Sequence, residues 1–387
     1  MSNLVFVAKE SVADETRVAA SVETVKKMRG LGFDVVIEAG AGASSRIPDA
    51  EYEAVGARIG SIKDAKAADV ILKVRRPTSK EISGYKSGAI VIAIMDPYGN
   101  EAALAEMARA GLTSFAMELM PRITRAQSMD VLSSQANLAG YQAVIEAAAV
   151  YDRALPMMMT AAGTVPAAKV FVMGAGVAGL QAIATARRLG AQVSATDVRL
   201  AAKEQVASLG AKFIAVEDEE FKAAETAGGY AKEMSREYQA KQAALVADHI
   251  AKQDIIITTA LIPGRPAPRL VGRDMLKAMR PGAVAVDLAI ERGGNIEGAE
   301  YDKVADVEGV KVVGYPNMAG RIAASASALY AKNLVTFLET MVDKDTKSLG
   351  LNRADELIKA TMLTDGGEVV HPNFVDPDQP TVKKGDL

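Results

Sequence analysis

Short apolar runs alternate with amphipathic stretches through roughly the first 120 residues. Runs at Leu4–Ala8, Phe33–Glu38, Val70–Val74, Ala89–Ile94 and Leu112–Phe115 predict strands, with helices from about Val18 to Arg29 and from Glu101 to Ala110 between them. Strands separated by helices imply a parallel sheet covered on both faces. From near Gln127 to Arg153 the helical pattern is long and ends before Pro156, which makes it a bridge to a second set of strands. These are Lys169–Met173, Gln192–Thr196, Ala211–Val216, Asp254–Thr259, Ala283–Asp287 and Val310–Val313, enough for a complete doubly wound sheet. A helix from about Ile322 returns to the first domain, and a tail from about Gly366, rich in Pro, Gly and charge, is expected to be extended. The expectation is an α/β chain of two doubly wound parallel-sheet domains, 1–130 completed by about 322–387, and 131–321.

The junction after Met173 carries the chemistry. Strand Lys169–Met173 runs into Gly174-Ala175-Gly176-Val177-Ala178-Gly179, and Leu180, Ile183, Ala184 and Leu189 then follow at helical spacing. Gly174 makes the turn, Gly176 admits a pyrophosphate to the backbone, and Gly179 lets the helix lie close to the strand. The next strand ends at Asp197, where a Rossmann-like fold places the carboxylate that accepts from an adenosine ribose. A carboxylate there repels the extra phosphate of NADP, so NAD(H) is the expected ligand. Arg199 is the counter-signal, because an arginine near this position serves a 2′-phosphate. Gly40-Ala41-Gly42 also follows a strand, but position 45 is Ser and no acid ends a following strand, which makes it a plain turn.

Composition narrows the function. At 387 residues and 49% hydrophobic, the chain is globular and too long for one core. It has no cysteine, which excludes disulfides, thiolate nucleophiles and thiolate metal sites. The N-terminus reads as a first strand and not a signal peptide. Ile322 to Val342 comes nearest to a membrane span, but Lys332, Asn333 and Glu339 make it an amphipathic packed helix. A net charge of −3 gives no support for nucleic-acid binding.

Other candidates are more open. If a helix begins near Gln127, then Gln127, Asp130 and Ser133 or Ser134 share a face behind Arg122, either to hold a polar group or as capping and a solvated face. Lys9, Glu10 and Arg17 follow the first strand, and Lys73, Arg75 and Arg76 close another, so Lys73 and Arg17 either bind an acid substrate or are surface charge. The 26 residues after Val216, centred on Gly228-Gly229-Tyr230, are a disordered insertion or a lid. The only histidines, His249 and His371, read as surface residues. HExxH, GxSxG and GxxxxGK are absent. A dehydrogenase reducing a carbonyl needs a placed acid, whereas hydride passing between two nicotinamides leaves no alkoxide and needs only aligned rings and no bulk water.

The stretches MELMPRITRAQSMDVLSSQANLAGYQAV, GAGVAGLQAIATARRLGAQVSATDVR, GGYAKEM, TTALIPGRPAP and VDLAIERGGN resemble the soluble NAD(H)-binding component, domain I or alpha-1 subunit, of proton-translocating nicotinamide nucleotide transhydrogenases. The likeness spans nearly the whole chain. It implies two Rossmann-like domains flanking a cleft, NAD(H) on the second, and a homodimer. It further implies that Asp197 holds the adenosine ribose, that Arg122, Asp130 and Ser133 position the nicotinamide end, and that Gln127 approaches NADP(H) carried by a partner component. Arg122, Gln127 and Asp130 are thus the implied catalytic set. The implied NAD(H) contacts add Gly174, Ala175, Gly176, Val177, Gly179, Val198, Arg199, Thr259, Ala260 and Leu261, with Gly229 and Tyr230 on a mobile loop of about 217–242. Membrane-spanning subunits would be separate chains, and this one would sit in the cytoplasm, peripheral on the inner face of the bacterial inner membrane. Alanine dehydrogenases share the fold and the residues Lys9-Glu10, Arg17 and Lys73, but where they place a catalytic histidine this chain has Ile94-Met95-Asp96-Pro97. An alanine-dehydrogenase-like enzyme is the alternative reading, and a non-catalytic NAD(H) sensor a third.

Overall fold

The computed structural model describes residues 3–199, 201–218, 220–221 and 235–375. The chain divides into two compact units, unit 1 of residues 1–135 with 322–387 and unit 2 of residues 136–321.

In unit 1, β1 (Leu4–Val7), β2 (Asp34–Glu38), β3 (Arg58–Gly60), β4 (Val70–Arg75), β5 (Ile90–Ile94) and β6 (Thr113–Ala116) are parallel, with β1 between β2 and β4. Successive residues of β1 enter different cores, Val5 and Val7 one and Phe6 the other, where Ala8 just past the strand joins it, as a sheet covered on both faces requires. Helix α1 (Val22–Gly30) begins four residues later than the sequence pattern suggests. Ser21 accepts from the Thr24 amide and Thr24 returns a bond to Ser21, a reciprocal cap that fixes the start. Further along the chain, β6 is followed by the long helix α2 (Val131–Val150).

In unit 2, an exposed hairpin, β7 (Met158–Thr160) and β8 (Gly163–Val165), precedes the main sheet. That sheet contains β9 (Lys169–Met173), β10 (Gln192–Thr196), β11 (Lys212–Phe213), β12 (Ile255–Thr258), β13 (Val284–Asp287), β14 (Val304–Val307) and β15 (Val310–Val313), in the order β11-β10-β9-β12-β13-β15-β14. Helix α3 (Val177–Arg188) connects β9 to β10, and α4 (Arg236–Ile250) leads into β12. From β11 to β15 this is the dinucleotide-fold order with its switch point beside β9. Val170 and Val172 of β9 face one core and Phe171 and Met173 the other.

Helix α5 (Ala323–Glu339) belongs to unit 1. Two edges depart from the all-parallel expectation. β14 pairs antiparallel with β15 across Glu308-Gly309, both at positive φ. In unit 1, β16 (Met362–Asp365) adds antiparallel to β6 and turns through Gly366-Gly367 at φ +60° and +90° into β17 (Glu368–Val369). Two consecutive positive φ angles make each a tight hairpin matched to strand twist. The tail is therefore not simply extended from Gly366. Phe374 packs edge-on against Tyr98 at 4.9 Å. His371 is buried and not a surface residue, and it accepts from the Asn373 amide.

Candidate functional site

In unit 2 the glycine turn has the geometry its spacing implies. Gly174 sits at φ +106°, and a Cβ there would lie 2.3 Å from Thr259 Oγ1. A Cβ on Gly179 would lie 1.8 Å from the Gly174 carbonyl oxygen, so only glycine lets the helix start this close to the strand. A Cβ on Gly176 would meet nothing within 4 Å, which is the open approach a pyrophosphate needs. Helix α3 begins with Gly176 as its cap and no side chain capping it, leaving its first amides for an anion. The exposed apolar residues Val177, Val198, Leu261 and Ile262 follow β9, β10 and β12, at the strand ends where this fold binds ligands.

Asp197 closes β10. Its Oδ2 accepts from the Ala175 amide at 2.7 Å, and its Oδ1 accepts from the Arg199 amide at 2.9 Å. The Arg199 guanidinium donates through Nε to Oδ1 at 2.9 Å and through Nη2 to Oδ2 at 3.1 Å, with a further bond to the Ala175 carbonyl at 3.2 Å. Burial pushes the carboxyl up, but the Arg199 and Ala175 hydrogen bonds outweigh it and hold the group below the usual aspartate range.

The loop after β12 is tied to the same turn. Thr259 Oγ1 donates to the Gly174 carbonyl at 3.1 Å. Asn295, fully buried, takes the Ala260 amide on Oδ1 at 3.1 Å and gives Nδ2 to the carbonyls of Ala260 at 2.9 Å and Pro268 at 2.8 Å. Asp287 accepts the amides of Ala289 and Ile296 and so shapes the loop that carries Asn295. Burial raises the Asp287 carboxyl against those bonds. Neither residue stands out by spacing; the only sequence signal is the Gly293-Gly294 pair before Asn295, both at positive φ. Gly140 gives no such signal either, although its α-carbon faces the start of α3 and a Cβ there would lie 2.0 Å from the Ala178 carbonyl oxygen.

In unit 1 the segment before the long helix corrects the sequence reading. Thr124–Met129 is a 3₁₀ turn, and α2 starts four residues after Gln127. Gln127 is thus not on one α-helical face with Asp130 and Ser133. Asp130 instead caps α2, accepting the Ser133 amide at 2.9 Å and the Ser133 hydroxyl at 2.5 Å, because an aspartate there satisfies an amide the first turn leaves free. Arg122 and Gln127 are exposed. Asn333 of α5 fixes the segment through the Ser128 carbonyl and the Ser134 hydroxyl. In unit 2, His249 of α4 bonds Ser194 Oγ at 2.8 Å and packs on Phe171. It is therefore half-buried and not a free surface histidine.

Two basic residues of unit 1, Lys73 and Arg17, are interior. Lys73 is fully buried, with Nζ 2.7 Å from Glu81 Oε1 and 3.5 Å from Glu10 Oε2. Burial raises Glu10 above its ordinary range in spite of Lys73, whereas Glu81, also desolvated, is held low by Lys73 and the Thr78 bonds. Arg17, nearly buried, gives Nε and Nη2 to Glu15 at 2.7 Å each and Nη1 to Gln135 at 2.9 Å. Neither Lys73 nor Arg17 is surface charge. Asp96, within the stretch Ile94-Met95-Asp96-Pro97, has φ +46°, with its amide bonded to Glu118 and its carbonyl accepting from Arg76. Gly229 and Tyr230 lie outside the described residues.

Two family models match most of the chain between them: residues 6–139 the alanine dehydrogenase/PNT N-terminal domain and residues 143–372 the alanine dehydrogenase/PNT C-terminal domain. The chain is 53% identical over 375 residues to an NAD(P) transhydrogenase subunit alpha polypeptide of Rhodospirillum rubrum, covering 95% of this chain and 98% of that one. It superposes on a crystal structure of transhydrogenase from Sinorhizobium meliloti with a TM-score of 0.88 and 75% identity, over 95% of this chain and 100% of that one. An L-alanine dehydrogenase structure, 24% identical, superposes with a TM-score of 0.79 over 96% and 98% of the two chains and shares the fold.

Proposed function

The chain belongs to the alanine dehydrogenase/PNT family, and from that premise we propose that it is the NAD(H)-binding subunit of a proton-translocating transhydrogenase. Its relatives of high identity are transhydrogenase subunits, which makes it an oxidoreductase subunit. The reaction assigned is direct hydride transfer between NADH on this chain and NADP+ on a separate NADP(H)-binding component, with proton movement in membrane-spanning partner subunits. The observation that carries the reading is the glycine turn of unit 2, open at Gly176 and uncapped at α3, with the Asp197 carboxylate anchored to the Ala175 amide beside it. These features fit a dinucleotide: amides for the pyrophosphate, a carboxylate for the ribose diol, and Val198, Leu261 and Ile262 for an adenine face.

The cofactor supplies the hydride; this chain orients it and needs no proton donor of its own, since no alkoxide forms. Arg122, Asp130 and Ser133 are assigned to the nicotinamide end and Gln127 to the approach of NADP(H). The alanine-dehydrogenase reading is disfavoured by the stretch Ile94-Met95-Asp96-Pro97, which offers no histidine, and by the pairing of Lys73 and Arg17 with buried carboxylates. A second copy of this chain is the proposed homodimer partner. Met157 and Met159, at the hairpin, are 63% and 81% exposed, and Tyr141, Ile145 and Ala149 recur every fourth residue along α2, with Tyr141 and Ala149 exposed and Ile145 half-buried. These are apolar positions that a monomer would leave wet. No described helix is long and apolar enough to cross a membrane, so attachment to the inner face of the bacterial inner membrane is assigned to the partner subunits.

The test mixes the chain with the NADP(H)-binding component and follows hydride transfer to an NAD analogue. Asp197→Ala should weaken NADH binding by ~1.5–3 kcal/mol, the scale of hydrogen bonds to a charged group. Unchanged affinity, or oxidation of NADH by the chain alone with pyruvate and ammonia, would sink the assignment.

A further inference from the structure

An ionised carboxylate offers about four lone-pair positions to donors. At Asp197 four donors are in place among the described residues: the Ala175 amide and Arg199 Nη2 on Oδ2, and the Arg199 amide and Nε on Oδ1. The two amide donors belong to the turn and stay. The two guanidinium donors are the only ones that can leave without unfolding it, and they match in number the two hydroxyls of a ribose diol. We infer that Arg199 is a self-ligand of the ribose seat, a side-chain plug that a nucleotide must displace, and that it sets how strongly the site prefers NAD(H) to NADP(H). This rests on the assignment of Asp197 to the ribose.

The mobility is on one side of the pair. The Arg199 side chain is 42% exposed and that of Asp197 8%, so the fork can swing into water while the carboxylate holds its position. For NADH the swing is a net loss, because the guanidinium gives up its two charge-assisted bonds to Asp197 and its bond to the Ala175 carbonyl and gains only solvent. For NADPH it is offset. A 2′-phosphate cannot donate to Asp197, yet it accepts bidentately from a guanidinium displaced only a few ångströms. One residue therefore weakens NADH binding and tolerates NADPH, which narrows the gap between them.

Equilibrium titration of the full chain with NADH and with NADPH reads both effects from nucleotide fluorescence, free of indole background because the sequence has no tryptophan. Arg199→Met keeps the stem and removes the fork. It should tighten NADH by about two- to five-fold, the scale of a partly exposed ion pair, and weaken NADPH. Arg199→Lys, a cation without the fork, should fall between the two. Introduced into Asp197→Ala, Arg199→Met should give no gain for NADH. Equal or weaker NADH binding by Arg199→Met, or a gain that persists without Asp197, overturns the plug. An Asp197→Ala chain that binds NADH as the parent does would instead overturn the ribose assignment beneath it. A melting curve for each variant separates loss of affinity from loss of fold.

Discussion

Glu15 shows what one buried carboxylate does in this molecule. Its side chain has no exposure and receives Arg17 Nε and Nη2 and Arg75 Nε, all at 2.7 Å. Desolvation alone would raise its carboxyl, but the Arg17 hydrogen bonds and charge, with Arg75, reverse the balance and hold it down from 4.5 to about 2. A carboxyl whose folded value lies below its unfolded one contributes stability that is complete above pH 4.5 and is lost as pH falls towards 2. The displacement corresponds to about 3 kcal/mol. Urea unfolding of the parent and of Glu15→Gln should therefore differ by that order at neutral pH and converge near pH 2. A difference that stays constant with pH would place the stabilisation in shape and not in charge.

At the scale of elements, close backbone approach decides which changes the fold tolerates. A methyl on Gly140 of α2 would fall 2.0 Å from the Ala178 carbonyl, a backbone atom that cannot swing aside. Gly140→Ala should thus cost about 1–3 kcal/mol by overpacking, more than it gains in helix propensity, and should shift α3 and weaken NADH. A neutral or stabilised variant would show that the two helices separate freely. This contact also marks where sequence reading stops. Elements defined by local period were legible: the strands around β9, the α3 face and the glycine turn all rest on residues within a few positions of one another. Elements defined by a distant partner were not. β3 and β14 are short edge strands, β16 and β17 exist because β6 offers an edge far along the chain, and α2 starts at Val131 because Asp130 caps it. Asn295 is the same case at the site. Its three bonds go to Ala260 and Pro268, at least 27 residues away, and no spacing announces them.

For the whole molecule, the proposed roles fall on residues of both units, the glycine turn and Asp197 in unit 2 and Arg122, Asp130 and Ser133 in unit 1. ADP-ribose carries the pyrophosphate and adenosine of NADH without the nicotinamide, so the two ligands separate these roles. Amide exchange measured at saturation should slow over 174–180 and 195–199 with either ligand, because both carry the pyrophosphate and ribose proposed for the α3 amides and Asp197. Over 124–134 it should slow with NADH alone on the proposed assignment of Arg122, Asp130 and Ser133 to the nicotinamide end. At a ligand concentration of about 100 Kd, binding adds about 2.7 kcal/mol to the native state, ample for the change to be read over its background. Equal slowing of 124–134 by ADP-ribose would assign that segment to a general tightening of the chain. No slowing with NADH would remove Arg122, Asp130 and Ser133 from the nucleotide altogether and leave the Asp130 to Ser133 bonds as a helix cap only.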